Sequence, residues 1–178
     1  MRLADSAIFT VDEYEALYRV AGRHKINLSS LLYTGTRYNE ALLIQEHDEF
    51  ILPTKINLPA IEEKGNRTII GRQIRLSNAG TMAMRLFINE SLPNRASWLK
   101  NLKRWAEKSG FPANEITTKI TRRTYEVWLF HYFRNISNIG LIILQSQGHT
   151  RTVPENYFDA NFTIQQINQM KPYVEGWI

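Results

Sequence analysis

The stretch LLYTGTRYNEALL, residues 31–43, places a Thr-Gly pair and an arginine inside a segment that is otherwise apolar. Leucines lie at both ends, as they do in helices that pack on a hydrophobic core. Glu40 follows Arg37 by three residues, which is close to one helical turn. The pattern predicts a helix over roughly Leu28–Leu32, a bend at the Thr-Gly pair and a further helix just after it, with a charged pair at the junction.

Outward from this stretch, helical patterns flank a short β-rich region. Residues 47–77 are rich in β-branched side chains separated by turn residues, and they predict a small antiparallel sheet of two or three strands. The helical period precedes them, beginning with a capping box at Thr10, and returns after Gly80. The sequence therefore predicts an α+β fold, mainly α-helical, whose later helices lie at about 81–92, 97–110, 118–134, 135–148 and 163–171.

The composition bounds the class of protein. The chain has 178 residues, of which 43% are hydrophobic and 22% charged, enough for one domain with a real core. It contains no cysteine, which excludes disulfides and thiolate metal sites and fits a reducing, intracellular setting. No apolar run approaches the roughly 20 residues of a spanning helix, and the first residues lack the apolar region of a signal peptide. The net charge of +5 permits a polyanionic partner.

Two short basic motifs stand out from this background. The opening stretch reads Thr-Gly, one residue, Arg37, two residues and Glu40. Farther along, KITRRT at 119–124 carries three basic residues within five positions, which are Lys119, Arg122 and Arg123. Taken singly, each motif is typical of a solvated helix face.

A third motif follows and changes the interpretation of the first two. QGHTRTVPENY, residues 147–157, contains a Gly-His pair that ends at His149, with Tyr157 eight residues later. In this order the three motifs resemble the arginine boxes and the tyrosine box of the tyrosine recombinases, the integrase family that cuts and rejoins DNA through a phosphotyrosine. The beginning, FTVDEYEAL at 9–17, and the tail at 157–177 are similar to the archaeal viral and plasmid branch of that family, so the resemblance covers essentially the whole chain.

The resemblance implies a fold and a further site residue. The family's catalytic domain carries a small antiparallel sheet or hairpin between its first and later helices, with a catalytic lysine on it. EEKGNRT, residues 62–68, resembles the family's lysine-turn pattern and points to Lys64, while Lys55 remains an alternative. Residues 1–178 are expected to form a single catalytic domain, with the family's N-terminal core-binding domain absent.

Two features depart from the family pattern. Lys119 stands where most of the family has histidine, although it remains a cation and a hydrogen-bond donor. The spacing between His149 and Tyr157 is one residue shorter than usual, so the intervening loop is expected to be tighter.

The residue types in these boxes suit phosphoryl transfer to tyrosine. The reaction passes through a state with extra charge on the non-bridging oxygens, which fixed cations can stabilise. Arg37 and Arg122 are expected to bind the phosphate, because a guanidinium holds two oxygens at once, and Lys119 lies one turn from Arg122. His149 is expected to donate to the same oxygens or to assist proton transfer, and Tyr157 to act as the nucleophile. The resemblance implies that the hairpin lysine protonates the leaving 5′ oxygen, and that neither a metal nor a cofactor takes part.

Other charged residues are expected to support this site. Glu40 is predicted to hold the Arg37 guanidinium in position; the alternative is a plain surface pair worth ~0.3 kcal/mol. Further candidates for contacts to the DNA backbone are Lys55, Arg67, Arg72, Arg75, Arg123 and Arg151.

The sequence thus predicts a site-specific recombinase that acts on double-stranded DNA as a homotetramer, with the tail helix at 163–171 docking between protomers. We expect it in the cytoplasm, on the nucleoid of the host cell, and not at a membrane. Two alternatives remain open. One is a DNA-binding or regulatory fragment of the same fold, with weak or no catalysis, that joins or inhibits a full-length integrase; Lys119 and the short tyrosine spacing favour it. The other is a type IB topoisomerase-like enzyme that relaxes DNA.

Overall fold

The computed structural model describes residues 7–63, 67–69, 71–149 and 160–178. Helices dominate this part of the chain, and none of those described is long and apolar enough to cross a membrane. The α-helices are α1 Val11–Val20, α2 Lys25–Thr34, α3 Tyr38–Glu46, α4 Asn78–Phe87, α5 Arg95–Lys108, α6 Ile120–Tyr132, α7 Ile139–Gln147, α8 Ile164–Gln169 and α9 Lys171–Val174. Short 3-10 turns lie at Gly22–His24, Asp48–Phe50 and Ala113–Glu115.

A small antiparallel sheet lies between the third and fourth helices. The strands are β1 Ile51–Leu52, β2 Lys55–Leu58, β3 Ile61–Glu63, β4 Arg67–Ile69 and β5 Arg72–Arg75. Strands β1, β2 and β5 pair in that order, while β3 and β4 form a separate antiparallel pair. Ile56 lies opposite Ile74, and both are fully buried, so the three-stranded sheet faces the core. The predicted α+β class is confirmed, and the second strand pair adds to the two or three strands expected.

The bend predicted at the Thr-Gly pair separates α2 from α3. Gly35 follows α2 with φ 64° and ψ 20°, a left-handed conformation that glycine adopts without steric cost. Arg37 then takes an extended conformation and caps α3, and its backbone N–H donates to Glu40 Oε2 at 2.8 Å. The helix before the bend is longer than predicted, since α2 already begins at Lys25. The bend brings the start of α3 close to the end of α2.

Buried aromatic side chains fix α1 and α6 against each other. The backbone N–H of Phe9, just before α1, donates to Thr124 Oγ1 at 3.0 Å. The carbonyl of Phe9 accepts a hydrogen bond from Trp128 Nε1 at 2.9 Å. Trp128 is fully buried, and burial of such a side chain contributes about 2–3 kcal/mol. This packing holds α6, which carries Arg122, in a fixed position.

The C-terminal tail, residues 160–178, packs on its own chain. Met170, Val174 and Trp177 are buried; α8 lies against α6, and α9 lies against both α6 and α4. The Trp177 indole donates to the carbonyl of Arg75 at 3.1 Å. The buried side of the tail is therefore occupied by its own chain.

The tail is also not one continuous helix. Helix α8 ends at Gln169 and α9 begins at Lys171, with Pro172 in its first turn. Pro172 has no N–H to donate to the carbonyl four residues earlier, so the helical hydrogen bonding of α8 stops before it, and Pro172 lies instead in the first turn of α9, where proline is tolerated.

Candidate active site

Glu40 lies at the centre of a buried group of charged side chains. Its side chain is 2% exposed. One oxygen, Oε1, is 2.7 Å from Arg37 Nη1, and the other, Oε2, is 3.0 Å from Arg72 Nη2 and 3.9 Å from Arg122 Nη1. Burial alone would raise the pKa of Glu40, but the hydrogen bond from Arg72 and the three guanidinium charges outweigh it and lower the pKa from 4.5 to about 2. Glu40 is therefore a stable anion that fixes three arginines.

Each of the three side-chain nitrogens of Arg122 has a partner within the chain. Its Nε pairs with Glu126 Oε1 at 2.9 Å, its Nη1 donates to the carbonyl of Gly35 at 3.2 Å, and its Nη2 donates to the carbonyl of Gln147. Burial lowers the pKa of Arg122 to about 10, and the charges of Glu126 and Glu40 oppose that effect. Arg122 is still a cation at neutral pH. We call Arg37, Glu40, Arg72, Arg122 and Glu126 the ion-pair cluster.

Two glycines make room for the ion-pair cluster. Gly35 and Gly148 both have positive φ, and they end α2 and α7. A Cβ atom at Gly148 would lie 2.6 Å from Arg72 Cδ, and one at Gly35 would lie 2.5 Å from Gln147 Oε1. The Gly-His pair therefore lets the end of α7 lie against Arg72, and the Thr-Gly pair lets the end of α2 lie against Gln147.

His149 lies immediately after α7, beside Arg122. Its Nε2 is 2.7 Å from Glu126 Oε1 and 3.2 Å from Arg122 Nη2, and its side chain is 19% exposed. Arg37 is more open, with 45% of its side chain exposed. The edge of the ion-pair cluster thus presents a guanidinium and an imidazole to solvent, while the other charged groups lie beneath them.

The structure brings together Arg37, Glu40, Arg122 and His149 as the sequence predicts. Arg72 also lies in the ion-pair cluster, although it was expected to contact DNA from the hairpin. The Arg72 side chain is only 5% exposed and donates to Glu40 and, at 3.0 Å, to the carbonyl of Ser146. A side chain in that position does not reach the surface, so the expectation of a surface phosphate contact at Arg72 is corrected to a role inside the ion-pair cluster.

Other predicted residues lie away from the cluster. Lys119 is exposed at the N-terminus of α6, and its side chain makes no hydrogen bond or ion pair with the described part of the chain. Lys55 Nζ donates to Gln73 Oε1 at 3.1 Å, and Lys55 lies opposite the exposed Arg75 in the sheet, where both remain candidates for DNA contact. Arg123 is 2% exposed and donates to the carbonyl of Ala7.

The expectation of a DNA contact at Arg123 does not fit this burial. Adjacent residues on a helix point about 100° apart, so Arg123 faces the N-terminal segment while Arg122 faces the cluster. Three further predicted residues, Lys64, Arg151 and Tyr157, lie outside the described residues. For Arg67 only the backbone, in β4, is described.

Sequence reasoning missed two members of the site. Glu126 pairs with both Arg122 and His149, and Gln147 is fully buried with its Nε2 donating to the carbonyl of Thr34 at 3.1 Å. The spacing of four between Arg122 and Glu126 is a signal for an ion pair on one helix. Gln147 carries no such local signal, because its partner lies 113 positions away.

The ion-pair cluster combines charges of both signs and carries a net positive charge. The ion-pair cluster contains three guanidinium groups and two carboxylates, which leaves one excess positive charge. Among the described residues, no group of three or more His, Cys, Asp or Glu side chains could hold a metal ion.

Comparison of the chain with models of protein families, with curated proteins and with solved structures finds no match.

Proposed function

We propose that the chain is a site-specific DNA recombinase that cleaves one strand with Tyr157 and forms a 3′-phosphotyrosine intermediate. One observation supports the proposal beyond the sequence resemblance. Arg37, Arg122 and His149 come from three separate motifs, yet Glu40 and Glu126 connect them through contacts of 2.7 to 3.9 Å. Chance matches to three motifs would not require their side chains to meet at one place in the fold.

In this proposal the two arginines act on the phosphate in different ways. Arg37 is exposed and held from behind by Glu40, so its guanidinium can bind non-bridging oxygens directly. Arg122 is buried, and it contributes positive charge from a low-dielectric environment, where each charge acts more strongly than in water. Arg72 adds a third cation beneath them. The phosphate would lie over the exposed edge of the cluster, between Arg37 and His149.

The remaining groups complete the proposed reaction. Tyr157 attacks the phosphorus, a hairpin lysine, Lys64 or Lys55, protonates the 5′ oxygen that leaves, and Lys119 supplies a further cation from the start of α6. We place the protein on double-stranded DNA as a homotetramer in the cytoplasm of its host. In that assembly the exposed side of the tail, which includes Ile164 at 72% exposure, is left for a neighbouring protomer.

A nicked suicide substrate tests the nucleophile. The wild type is expected to form a covalent DNA adduct that survives SDS, and Tyr157→Phe is expected to form none, because it lacks the attacking hydroxyl. Tyr132→Phe, at a half-buried tyrosine on α6, serves as the matched control and should react like the wild type. An adduct of undiminished yield from Tyr157→Phe would show that another residue is the nucleophile.

A second candidate function has an observation of its own. The Nε, Nη1 and Nη2 atoms of Arg122 all bind partners within the chain, so few of its donors remain for a substrate. This engagement favours a recombinase-fold module that binds DNA without cleaving it. DNA binding with no covalent adduct from the wild type would decide for this second function and against the first.

A further inference from the structure

Glu126 makes a contact that the motif resemblance does not include. It lies on α6 with its side chain 3% exposed, one helical turn after Arg122. Its Oε1 atom is 2.7 Å from His149 Nε2 and 2.9 Å from Arg122 Nε. His149 Nε2 is in turn 3.2 Å from Arg122 Nη2. A single carboxylate oxygen therefore connects the histidine of the third motif with the arginine of the second.

The position of the proton on His149 follows from these distances. An ionised carboxylate only accepts hydrogen bonds and an arginine only donates them. An approach of 2.7 Å between Glu126 Oε1 and His149 Nε2 requires a proton between them, since two lone pairs would repel at that distance. The proton must lie on Nε2, which then cannot also accept from Arg122. The other ring nitrogen, Nδ1, is left without a hydrogen-bond partner among the described residues.

We propose that Glu126 is a positioning residue that holds His149 with its proton on Nε2 and so leaves Nδ1 as a proton acceptor in the site. This inference rests on the proposed function. As the nucleophile attacks, its phenolic O–H bond breaks and the proton moves to Nδ1 of His149. The phenolic oxygen bonds to phosphorus, and the bond from phosphorus to the 5′ oxygen breaks. Glu126 stabilises the imidazolium that forms, as a carboxylate does for the histidine of a hydrolase triad.

The contact can be tested in the full-length chain without DNA. With 15N-labelled histidine, the wild type is expected to show a strongly downfield proton bound to Nε2 of His149, identified by its loss in His149→Gln. In Glu126→Gln this proton should move upfield and exchange faster, because a neutral amide oxygen is a weaker acceptor than a carboxylate. Glu107→Gln, at an exposed carboxylate on α5, should leave it unchanged. A proton on Nδ1, or one insensitive to Glu126→Gln, overturns the proposal.

The catalytic consequence is tested by a double-mutant cycle on the rate of covalent adduct formation. Glu126→Gln is expected to lower the single-turnover rate by about 10- to 100-fold with DNA affinity unchanged. In a His149→Gln background the same change should cost nothing further, because its effect passes through the imidazole. An equal loss in both backgrounds would show that Glu126 acts only through Arg122 or the fold, which overturns the proposal. If the wild type forms no adduct, the recombinase function fails, and the NMR result still decides the contact.

Discussion

The ion-pair cluster and a second, largely buried polar region both take residues from α6, yet one consists of charged side chains and the other of neutral ones. The second region, which we call the tyrosine cluster, consists of Tyr14, Tyr33, Tyr173 and Trp128. In it the hydroxyls of Tyr14 and Tyr33 lie 2.7 Å apart, and the rings of Tyr14 and Trp128 meet edge to face with centroids 5.9 Å apart. Helix α2 supplies Tyr33 to this cluster and α6 supplies Trp128.

The two clusters differ in the charge of their buried side chains. In the tyrosine cluster, burial raises the pKa of Tyr14 and of Tyr33, so both stay neutral at physiological pH and are joined by ring packing and a hydrogen bond between neutral hydroxyls. A charged partner lies at the edge of the cluster, where Tyr173 donates to Glu15 Oε1 at 2.8 Å. In the ion-pair cluster the pKa of Glu40 is lowered and every member is charged. Buried ion pairs are a weak route to stability, so their concentration at one place favours a functional reason for them.

The largest difference between the regions should appear on removal of a central carboxylate. Glu40→Ala leaves Arg37, Arg72 and Arg122 without their shared anion and is expected to lower the free energy of unfolding by about 3–5 kcal/mol, measured by urea denaturation. Glu46→Ala, at an exposed glutamate on the same helix, should change it by less than about 0.5 kcal/mol. A similarly small loss of unfolding free energy for Glu40→Ala would mean that the three arginines find other partners when their shared carboxylate is removed.

Acid should weaken the ion-pair cluster selectively. The folded-state pKa of Glu40 lies below its usual 4.5, so its stabilisation is present above pH 4.5 and is lost as pH falls through about 2. The shift corresponds to roughly 3 kcal/mol. The urea midpoint of the wild type should therefore approach that of Glu40→Gln between pH 5 and 2. A gap between the two proteins that does not narrow on acidification would contradict the assignment.

The smallest effect is expected in the tyrosine cluster. Tyr14→Phe removes one hydroxyl, leaves the Tyr33 hydroxyl without that partner and keeps the ring contacts, so it should cost about 1 kcal/mol. The effect of Tyr14→Phe on the free energy of unfolding should not depend on pH between 4 and 8, in contrast to the effect of Glu40→Gln. Tyr18→Phe, one turn farther along α1, is the matched control. If Tyr14→Phe lowered the free energy of unfolding as much as Glu40→Ala does, the proposed difference between the two clusters would be contradicted.

Local spacing predicted the pair of Arg37 and Glu40, and the motif resemblance predicted that Arg122 and His149 join it. Neither predicted that Arg72 does. Arg37 and Glu40 are three residues apart, so helical geometry alone predicts their contact. Arg72 joins Glu40 across 32 positions, and its place depends on the path of the chain through the hairpin region. That path is set by the packing of β5 on α7, which no local pattern in either segment reveals.

The same limit applies to Arg123 and to the tail. The prediction for Arg123 treated neighbouring basic residues as one surface, although a helix turns them to different sides. The sequence also predicts the tail as an amphipathic helix, as its apolar spacing indicates, but the spacing does not say whether its partner is the same chain or another. In the structure, Met170 and Trp177 are buried within their own chain.

Ser77 connects the tail to the start of α4 through one hydroxyl group. Its Oγ accepts from the backbone N–H of Gly80 at 3.0 Å and donates to the carbonyl of Tyr173 at 2.7 Å. The next residue, Asn78, donates its backbone N–H to the carbonyl of Glu175 at 2.9 Å. The last residues of the chain thus complete the first turn of a helix that begins about a hundred positions earlier. Detachment of the tail would fray α4, so the two segments should open together, as a single cooperative unit in hydrogen exchange.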